Sequence, residues 1–190
     1  MLKDSMRNLI FLVFLISFSA LSATEDKIVL SNKSIGDMPI KVGIEISLYK
    51  ITQYFPFYEV THQIASGDSP DYHLYVVSSY KGEKLISFIS YINEPDGYEK
   101  AVVKLDEVVV YGQNIQDEFG VKPKMHIKQI IALRKNLEFG AGHMDNYIGR
   151  DKMWYLFSVE NSHGTGVTKE MAIDANPQID AISWPYPRWR

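Results

Sequence analysis

The chain has 190 residues, of which 46% are hydrophobic and 13% are aromatic, and its formal net charge is −3. This length supplies one hydrophobic core and leaves little room for a second domain. The modest negative charge argues against nucleic acid or an anionic membrane surface as the main partner, because both bind clustered lysines and arginines.

A secretory signal peptide is predicted over residues 1–23. Lys3 and Arg7 give a positive start, residues 9–18 form an apolar run, and small residues up to Ala23 suit signal-peptidase cleavage. The apolar run is about half as long as the roughly 20 residues that a membrane-spanning helix needs. We therefore expect the leader to be removed near Ala23 and no stable membrane span to remain.

We expect residues 24–190 to form a single exported α+β domain. Removal of Lys3, Arg7 and Asp4 with the leader leaves 18 basic and 22 acidic residues, a net charge of −4. The chain has no cysteine, which excludes disulfides, thiol catalysis, thiolate metal sites and lipid attachment at cysteine. An exported domain without disulfides depends on its core, which is typical of bacterial periplasmic or secreted proteins.

The middle of the chain predicts an antiparallel meander over residues 72–111. Three runs rich in Val, Ile, Tyr and Phe are separated by residues 81–83 and 93–97, whose Gly, Pro, Asp and Asn favour turns. The second run, residues 85–92, is largely apolar on both faces, which predicts a central strand covered on both sides. We place the third strand at residues 101–106, where apolar and polar side chains alternate.

Shorter elements flank the meander. Pro56 disfavours helical backbone in the residue before it, so it separates a helix from the following strand. The polar stretch 164–178 and the glycine-containing stretch 140–142 are interpreted as loops. The flanking elements are an edge strand at 28–30, a helix at about 45–54, a strand at about 57–64, an amphipathic helix at about 124–135, and strands at 154–159 and 179–184. Together these elements predict a mostly antiparallel sheet with one or two packing helices.

Two histidines are predicted to approach each other across a hairpin. His62 and His73 lie in strands that flank one turn, and Asp68 and Asp71 lie in the turn. These side chains offer metal ligands, but no histidine of the chain has a spacing typical of a zinc site. We therefore interpret the segment as a solvated turn with surface histidines and predict no metal site.

Other polar residues carry weaker signals. Asp174, Asn176 and Asp180 offer oxygen ligands for calcium, but the glycine and terminal glutamate of an EF-hand loop are missing. Ser162 and His163 place a hydroxyl beside an imidazole in sequence, but neighbouring residues rarely face each other as triad partners do, and the sequence has no GxSxG motif. We predict no catalytic residue and no cofactor.

Two acidic pairs, Asp106-Glu107 and Asp117-Glu118, offer the two carboxylates that glycoside hydrolysis uses. Adjacent residues of a strand point to opposite faces, so neither pair alone places both carboxylates on one substrate. We interpret both pairs as solvated charges at strand ends.

Aromatic residues are the most distinctive property of the chain, with twelve tyrosines and three tryptophans. One cluster comprises Tyr54, Phe55, Phe57 and Tyr58. We expect Trp184 to be buried because it ends a predicted strand, and we expect Tyr186 and Trp189 to be partly exposed. The candidate binding residues are Trp184, Tyr186, Trp189 and Arg190.

The chain resembles a known family over residues 30–190. The matching features are the tract at 117–122 (DEFGVK), the amphipathic segment after it, the aromatic strand at 154–157 and the ending at 179–184 before a terminal arginine. They are similar to the sigma-E-regulated lipoproteins of gammaproteobacteria, a family of unknown function. The lipobox cysteine of that family is missing here, as is a cysteine pair expected around residues 136–155. The resemblance implies a cell-envelope location and supplies no activity.

Three functions fit these observations. The first is a non-enzymatic periplasmic or secreted envelope protein that binds an unidentified partner through aromatic surface. The second is a hydrolase whose site assembles from scattered residues, which His143 or His163 beside Asp145 in a concave pocket would favour. The third is a secreted inhibitor or effector.

Overall fold

The structure is a computed structural model that describes residues 27–66, 70–141, 146–159 and 167–186. Its described α-helices are α1 (Leu48–Tyr54), α2 (Ile127–Leu133) and α3 (Lys169–Ala175), and a 3-10 helix covers Pro95–Glu99. Its described strands are β1 (Val29–Leu30), β2 (Ser34–Ile35), β3 (Met38–Pro39), β4 (Glu45–Ile46), β5 (Glu59–Ala65), β6 (Tyr72–Ser78), β7 (Lys84–Tyr91), β8 (Val103–Lys104), β9 (Glu107–Val110), β10 (Gln116–Asp117), β11 (Glu138–Ala141), β12 (Asn146–Arg150), β13 (Met153–Phe157) and β14 (Ile179–Trp184).

Eight of these strands form one antiparallel sheet in the order β11–β12–β13–β14–β9–β7–β6–β5. Two smaller sheets have the orders β10–β1–β2–β3 and β4–β8. Strand β1 is parallel to β10, and the other strand pairs of the described residues are antiparallel. The predicted α+β fold with a mostly antiparallel sheet is therefore confirmed.

Strand β7 lies inside the large sheet between β6 and β9, as predicted. Its residues 85–90 are all buried, because both faces of the strand are covered. Ile86 and Phe88 belong to the main core, whereas Ile89 belongs to a second cluster on the opposite face. The apolar pattern on both faces of this strand was the sequence signal for a central position.

The main core lies between one face of the large sheet and the helices. It contains Phe88 and Trp184 from the sheet, Ile51 from α1, Ile130 from α2 and Ala172 from α3. The helices are short, and none in the described part of the chain is long and apolar enough to cross a bilayer. On the second face, partly buried tyrosines pack around a small apolar cluster formed by Ile89, Val109, Leu156 and Ala181.

Helix α1 begins and ends at signals visible in the sequence. The Ser47 hydroxyl accepts a hydrogen bond from the Lys50 backbone N–H at 3.2 Å, which caps the first turn. The helix ends before Phe55 because Pro56 follows. The predicted start was wrong, since Glu45 and Ile46 form β4 instead of helix.

The third meander strand was placed wrongly at residues 101–106. Val103–Lys104 is β8, which pairs with β4 in a separate sheet, and the meander continues from β7 to β9. All four residues of β9 are buried, as expected of a strand covered on both faces. Alternation identified a strand at residues 101–106, but it could not identify the sheet to which that strand belongs.

Two interpretations as loop were also wrong. Residues 169–175 form α3, whose N-cap Thr168 accepts a hydrogen bond from the Met171 N–H at 3.2 Å. Its last turn is closed by Asn176, which has a left-handed backbone with φ of 48°. The fold therefore has three packing helices in its described part. Of the stretch 140–142, Gly140 and Ala141 belong to the edge strand β11, and residue 142 lies outside the described residues.

Candidate functional site

The predicted approach of His62 and His73 is confirmed. The two residues lie on β5 and β6, and His62 Nε2 is 3.0 Å from His73 Nδ1. His73 Nε2 is 2.8 Å from the Gly97 carbonyl oxygen, which can only accept a hydrogen bond. In the neutral pair His73 Nε2–H therefore donates to Gly97, and His62 Nε2–H donates to His73 Nδ1. The interpretation of both as surface histidines was wrong for His73, which is 1% exposed.

The environment of His62 disfavours its charged form. Its ring stacks on Tyr75, with 4.5 Å between the ring centroids, and on His73, with 5.2 Å. Partial burial, and after it the neighbouring His73, lower the pKa of His62 below its usual range. The pair thus forms a hydrogen-bonded chain from the edge strand β5 to the 3-10 helix.

An open cavity of about 330 Å³ lies beside this chain. Its lining includes His73 from β6, Ser90 from β7, Glu45 from β4, Lys104 from β8 and Asp106. The histidine and serine are buried, whereas the glutamate and lysine side chains are exposed. The cavity therefore combines two buried polar side chains with charged groups of both signs.

The described histidines do not form the pairs expected of an acid–base enzyme. His62 and His73 bond to each other and to a carbonyl, and His126 Nδ1 lies 2.7 Å from the carbonyl oxygen of Asn176. The described part of the chain also holds no group of three or more His, Cys, Asp or Glu side chains placed to bind a metal. His143, Asp145 and His163 lie outside the described residues, so the hydrolase alternative stays a hypothesis.

The interpretation of Asp117 as a solvated charge was wrong. Its carboxylate is buried and accepts hydrogen bonds from the Tyr155 hydroxyl at 2.6 Å and from the backbone N–H groups of Phe119 and Val121 at 2.9 and 2.8 Å. Arg134 stands behind Tyr155, with Nη1 3.2 Å from the hydroxyl. Burial raises the pKa of Asp117, and these donors partly oppose the rise. The neighbouring Glu118 is exposed, as predicted.

Glu107 is likewise buried, with 2% of its surface exposed. Its carboxylate accepts hydrogen bonds from the Ser183 hydroxyl at 2.8 Å and from the Tyr91 hydroxyl at 3.0 Å. Asp106, next in sequence, is half-buried and accepts the Tyr91 backbone N–H at 2.9 Å. A charged residue that opens a run of three valines was the available sequence signal for a buried carboxylate.

The C-terminal candidates separate into different environments. Trp184 is fully buried and Tyr186 is 42% exposed, both as expected. The Tyr186 hydroxyl lies 2.6 Å from the Tyr147 hydroxyl. Trp189 and Arg190 lie outside the described residues. Of the four candidates, Tyr186 is therefore the one with described surface available to a partner.

Two of the three calcium candidates, Asn176 and Asp180, have structural partners. Asn176, which follows α3, contacts the start of α2. Its side-chain oxygen accepts a hydrogen bond from the Lys128 N–H at 2.9 Å, and its carbonyl oxygen lies 2.7 Å from His126 Nδ1. Asp180 forms a salt bridge with Lys124 at 3.2 Å. Asp174 lies in α3 and is exposed.

The three most exposed aromatic residues of the described chain, Tyr49, Phe57 and Tyr80, lie on α1 or next to the β5–β6 pair. Phe57 is 75% exposed and stands two residues before β5, whereas Tyr80 is 78% exposed and stands two residues after β6. Glu59 pairs with Ser78, so the antiparallel register brings residues 57 and 80 to the same end of the two strands. Tyr49 and Tyr54, at 75% and 37%, lie on α1, which contacts β5. We call Tyr49, Tyr54, Phe57 and Tyr80 the edge patch.

Comparisons with known proteins support the fold and supply no activity. No protein family model matches the chain, and no curated protein is similar to it. Among solved structures, the uncharacterized protein yfeY from Escherichia coli is similar, with a TM-score of 0.59 and 13% sequence identity. The similarity covers 83% of this chain and 99% of that one. At this identity it shows a shared fold alone.

Proposed function

We propose that the chain is a non-enzymatic envelope protein that binds a partner protein at the edge of its large sheet. An extended segment of the partner adds to β5 as a further strand and contacts the edge patch. The observation that carries this proposal is an exposed edge strand of seven residues beside four exposed aromatic side chains.

Strand β5 has the features of an edge that accepts another strand. In the described part of the chain it pairs only with β6, so one side of its backbone has no strand partner. Five of its seven residues are exposed. Proteins commonly protect such edges with lysine, proline or a bulge, and β5 (EVTHQIA) contains none of these in its register with β6. Strand addition uses these free backbone groups for affinity.

The edge patch supplies side-chain contacts for the same partner. Exposed Tyr and Phe side chains contribute a large share of binding energy at protein interfaces, because each buries a large and rigid surface. Phe57 and Tyr80 flank the end of the β5–β6 pair, and Ile64, which is 39% exposed, lies near the other end of β5. A pairing strand would therefore have apolar contacts along its length.

The proposed location in the periplasm or the medium is supported by the leader pattern of residues 1–23. The resemblance to the sigma-E-regulated lipoproteins supports the envelope, and we propose that the chain is a member of that family without a lipid anchor. Fractionation of the host with N-terminal sequencing tests this. The expected product begins at Thr24 outside the cytosol, and an intact leader on the isolated protein would contradict export.

Partner capture from an envelope extract tests the binding surface. The edge variant Phe57→Ala/Tyr80→Ala should lose the partner that the wild-type chain captures. The matched control, Leu133→Ala/Met171→Ala, removes two apolar side chains that are each 51% exposed on α2 and α3, and should retain it. Equal capture by the edge variant would remove the edge patch from the proposal.

A third variant separates the edge from the C-terminal residues. Tyr186→Ala/Trp189→Ala should capture the partner as well as the wild-type chain does. Loss of the partner in this variant alone would transfer the binding site to the C-terminal aromatic residues.

A further inference from the structure

The cavity beside His73 is lined by a serine whose hydroxyl has no hydrogen-bond partner among the described residues. Ser90 lines the cavity and is 4% exposed, yet its hydroxyl makes no hydrogen bond to any described residue. Its cross-strand neighbour His73 forms hydrogen bonds through both ring nitrogens, with His62 and with the Gly97 carbonyl oxygen. Because Ser90 lines the cavity and its hydroxyl is unpaired there, this hydroxyl is available to a molecule inside the cavity.

Three charged side chains of the cavity, one lysine and two carboxylates, form no ion pair with a described residue. Glu45 and Lys104 face each other across the β4–β8 pair, and neither forms a salt bridge with a described residue. Asp106 is also free of ion pairs in that part of the chain, and its Oδ2 accepts a backbone N–H. By contrast, Lys100 on the same rim is paired with Glu94 at 3.3 Å and Asp96 at 3.2 Å.

The unpaired groups select the chemistry of a ligand. Two carboxylates complement an ammonium group, and a lysine together with a hydroxyl complements a carboxylate. A phosphate or other simple anion would meet Glu45 and Asp106 as like charges, and a neutral sugar would leave all three charges unused. The volume of about 330 Å³ is at the lower end of the range for small-molecule sites.

We propose that this cavity binds a small zwitterion, a free amino acid or a dipeptide. Its ammonium group is held by Glu45 and Asp106, and its carboxylate is held by Lys104 and Ser90. The site is separate from the edge patch, so this inference does not depend on the proposed function.

Calorimetric titration of the full chain with the twenty free amino acids and glycylglycine tests the proposal. At least one of these zwitterions should bind with a Kd below about 1 mM. Acetate and methylamine each carry one of the two charges and should bind at least about tenfold more weakly. Failure of every zwitterion to reach this affinity, or equal binding of acetate or methylamine, would overturn the proposal.

Matched variants locate the binding. Glu45→Gln and Lys104→Gln change exposed side chains, and each should weaken binding at least about tenfold. Lys33→Gln, an exposed lysine in another part of the fold, should leave binding unchanged. Unchanged affinity in both cavity variants would contradict the assignment.

Ser90→Ala distinguishes ligand binding from a structural role. The hydroxyl makes no hydrogen bond within the described protein, so its removal should weaken binding while the midpoint of thermal unfolding stays the same. A lowered midpoint with unchanged affinity would show that Ser90 is structural and would overturn its part in the site.

Discussion

Replacement of Tyr155 by phenylalanine removes one hydroxyl from the buried cluster of Asp117, Tyr155 and Arg134. This hydroxyl donates to Asp117 Oδ2 at 2.6 Å and lies 3.2 Å from Arg134 Nη1. Tyr155 is fully buried, and burial, followed by the charge of Asp117, raises the pKa of the phenol. The hydroxyl therefore keeps its proton and acts as a donor to the carboxylate.

The loss is expected to destabilise the fold by about 2 kcal/mol, because a buried hydrogen bond to a charged group contributes about 1.5–3 kcal/mol. In the variant the Asp117 carboxylate keeps its two backbone donors, and Arg134 keeps its hydrogen bond to the Met153 carbonyl oxygen at 3.2 Å. The loss of unfolding free energy should therefore not exceed the contribution of one hydrogen bond. For a chain of this length the midpoint of thermal unfolding should fall by about 4–8 °C.

Urea unfolding of the wild-type chain, Tyr155→Phe and Tyr75→Phe measures this difference. Tyr75 is also buried in the large sheet, but its hydroxyl forms no hydrogen bond with a described residue. Tyr75→Phe should therefore change the free energy of unfolding by less than about 0.5 kcal/mol. Equal stability of the two variants would refute the assignment of a strong hydrogen bond to Asp117.

Three further substitutions test other contacts. Folding lowers the pKa of His62 below 6.5, so the contribution of neutral His62 to stability is present above that pH and is lost as the pH falls through the lowered value. His62→Gln should therefore reduce the change of the urea unfolding midpoint with pH between pH 7 and 5. Glu107→Ala should lower the free energy of unfolding by more than about 2 kcal/mol in urea titrations, because the Ser183 hydroxyl and a tyrosine hydroxyl lose their acceptor, and a smaller loss would contradict the network. Gly149→Ala should cost about 1–3 kcal/mol on thermal unfolding, because its new Cβ would meet the Met153 carbonyl oxygen, and a neutral result would contradict this close packing.

Local periodicity predicted the parts of the fold that depend on neighbouring residues. The approach of His62 and His73 follows from two strands joined by one turn, and the burial of Trp184 follows from its place at the end of a strand. These contacts need only the period of a strand and the position of a turn.

Contacts between distant segments were not predictable in this way. Asp117 can be buried because the Tyr155 hydroxyl, 38 positions later, donates a hydrogen bond to its carboxylate. Glu107 can be buried because the Ser183 hydroxyl, 76 positions later, donates to its carboxylate. Without those partners a carboxylate belongs on the surface, as the sequence interpretation had it.

Gly140 was wrongly assigned to a loop because glycine is common in turns. Gly140 lies in β11 opposite Tyr147, and a Cβ there would collide with the tyrosine ring. Glycine within a strand often marks such a close approach, but in a single sequence it is hard to distinguish from a turn.

Amide hydrogen exchange of the wild-type chain, alone and with its captured partner, tests the central claim most directly. If the partner adds a strand at the open edge, amides of Glu59–Ala65 should exchange more slowly in the complex, whereas those of the opposite edge strand, Glu138–Ala141, should not change. Unchanged exchange in Glu59–Ala65, with protection appearing elsewhere, would contradict strand addition at β5.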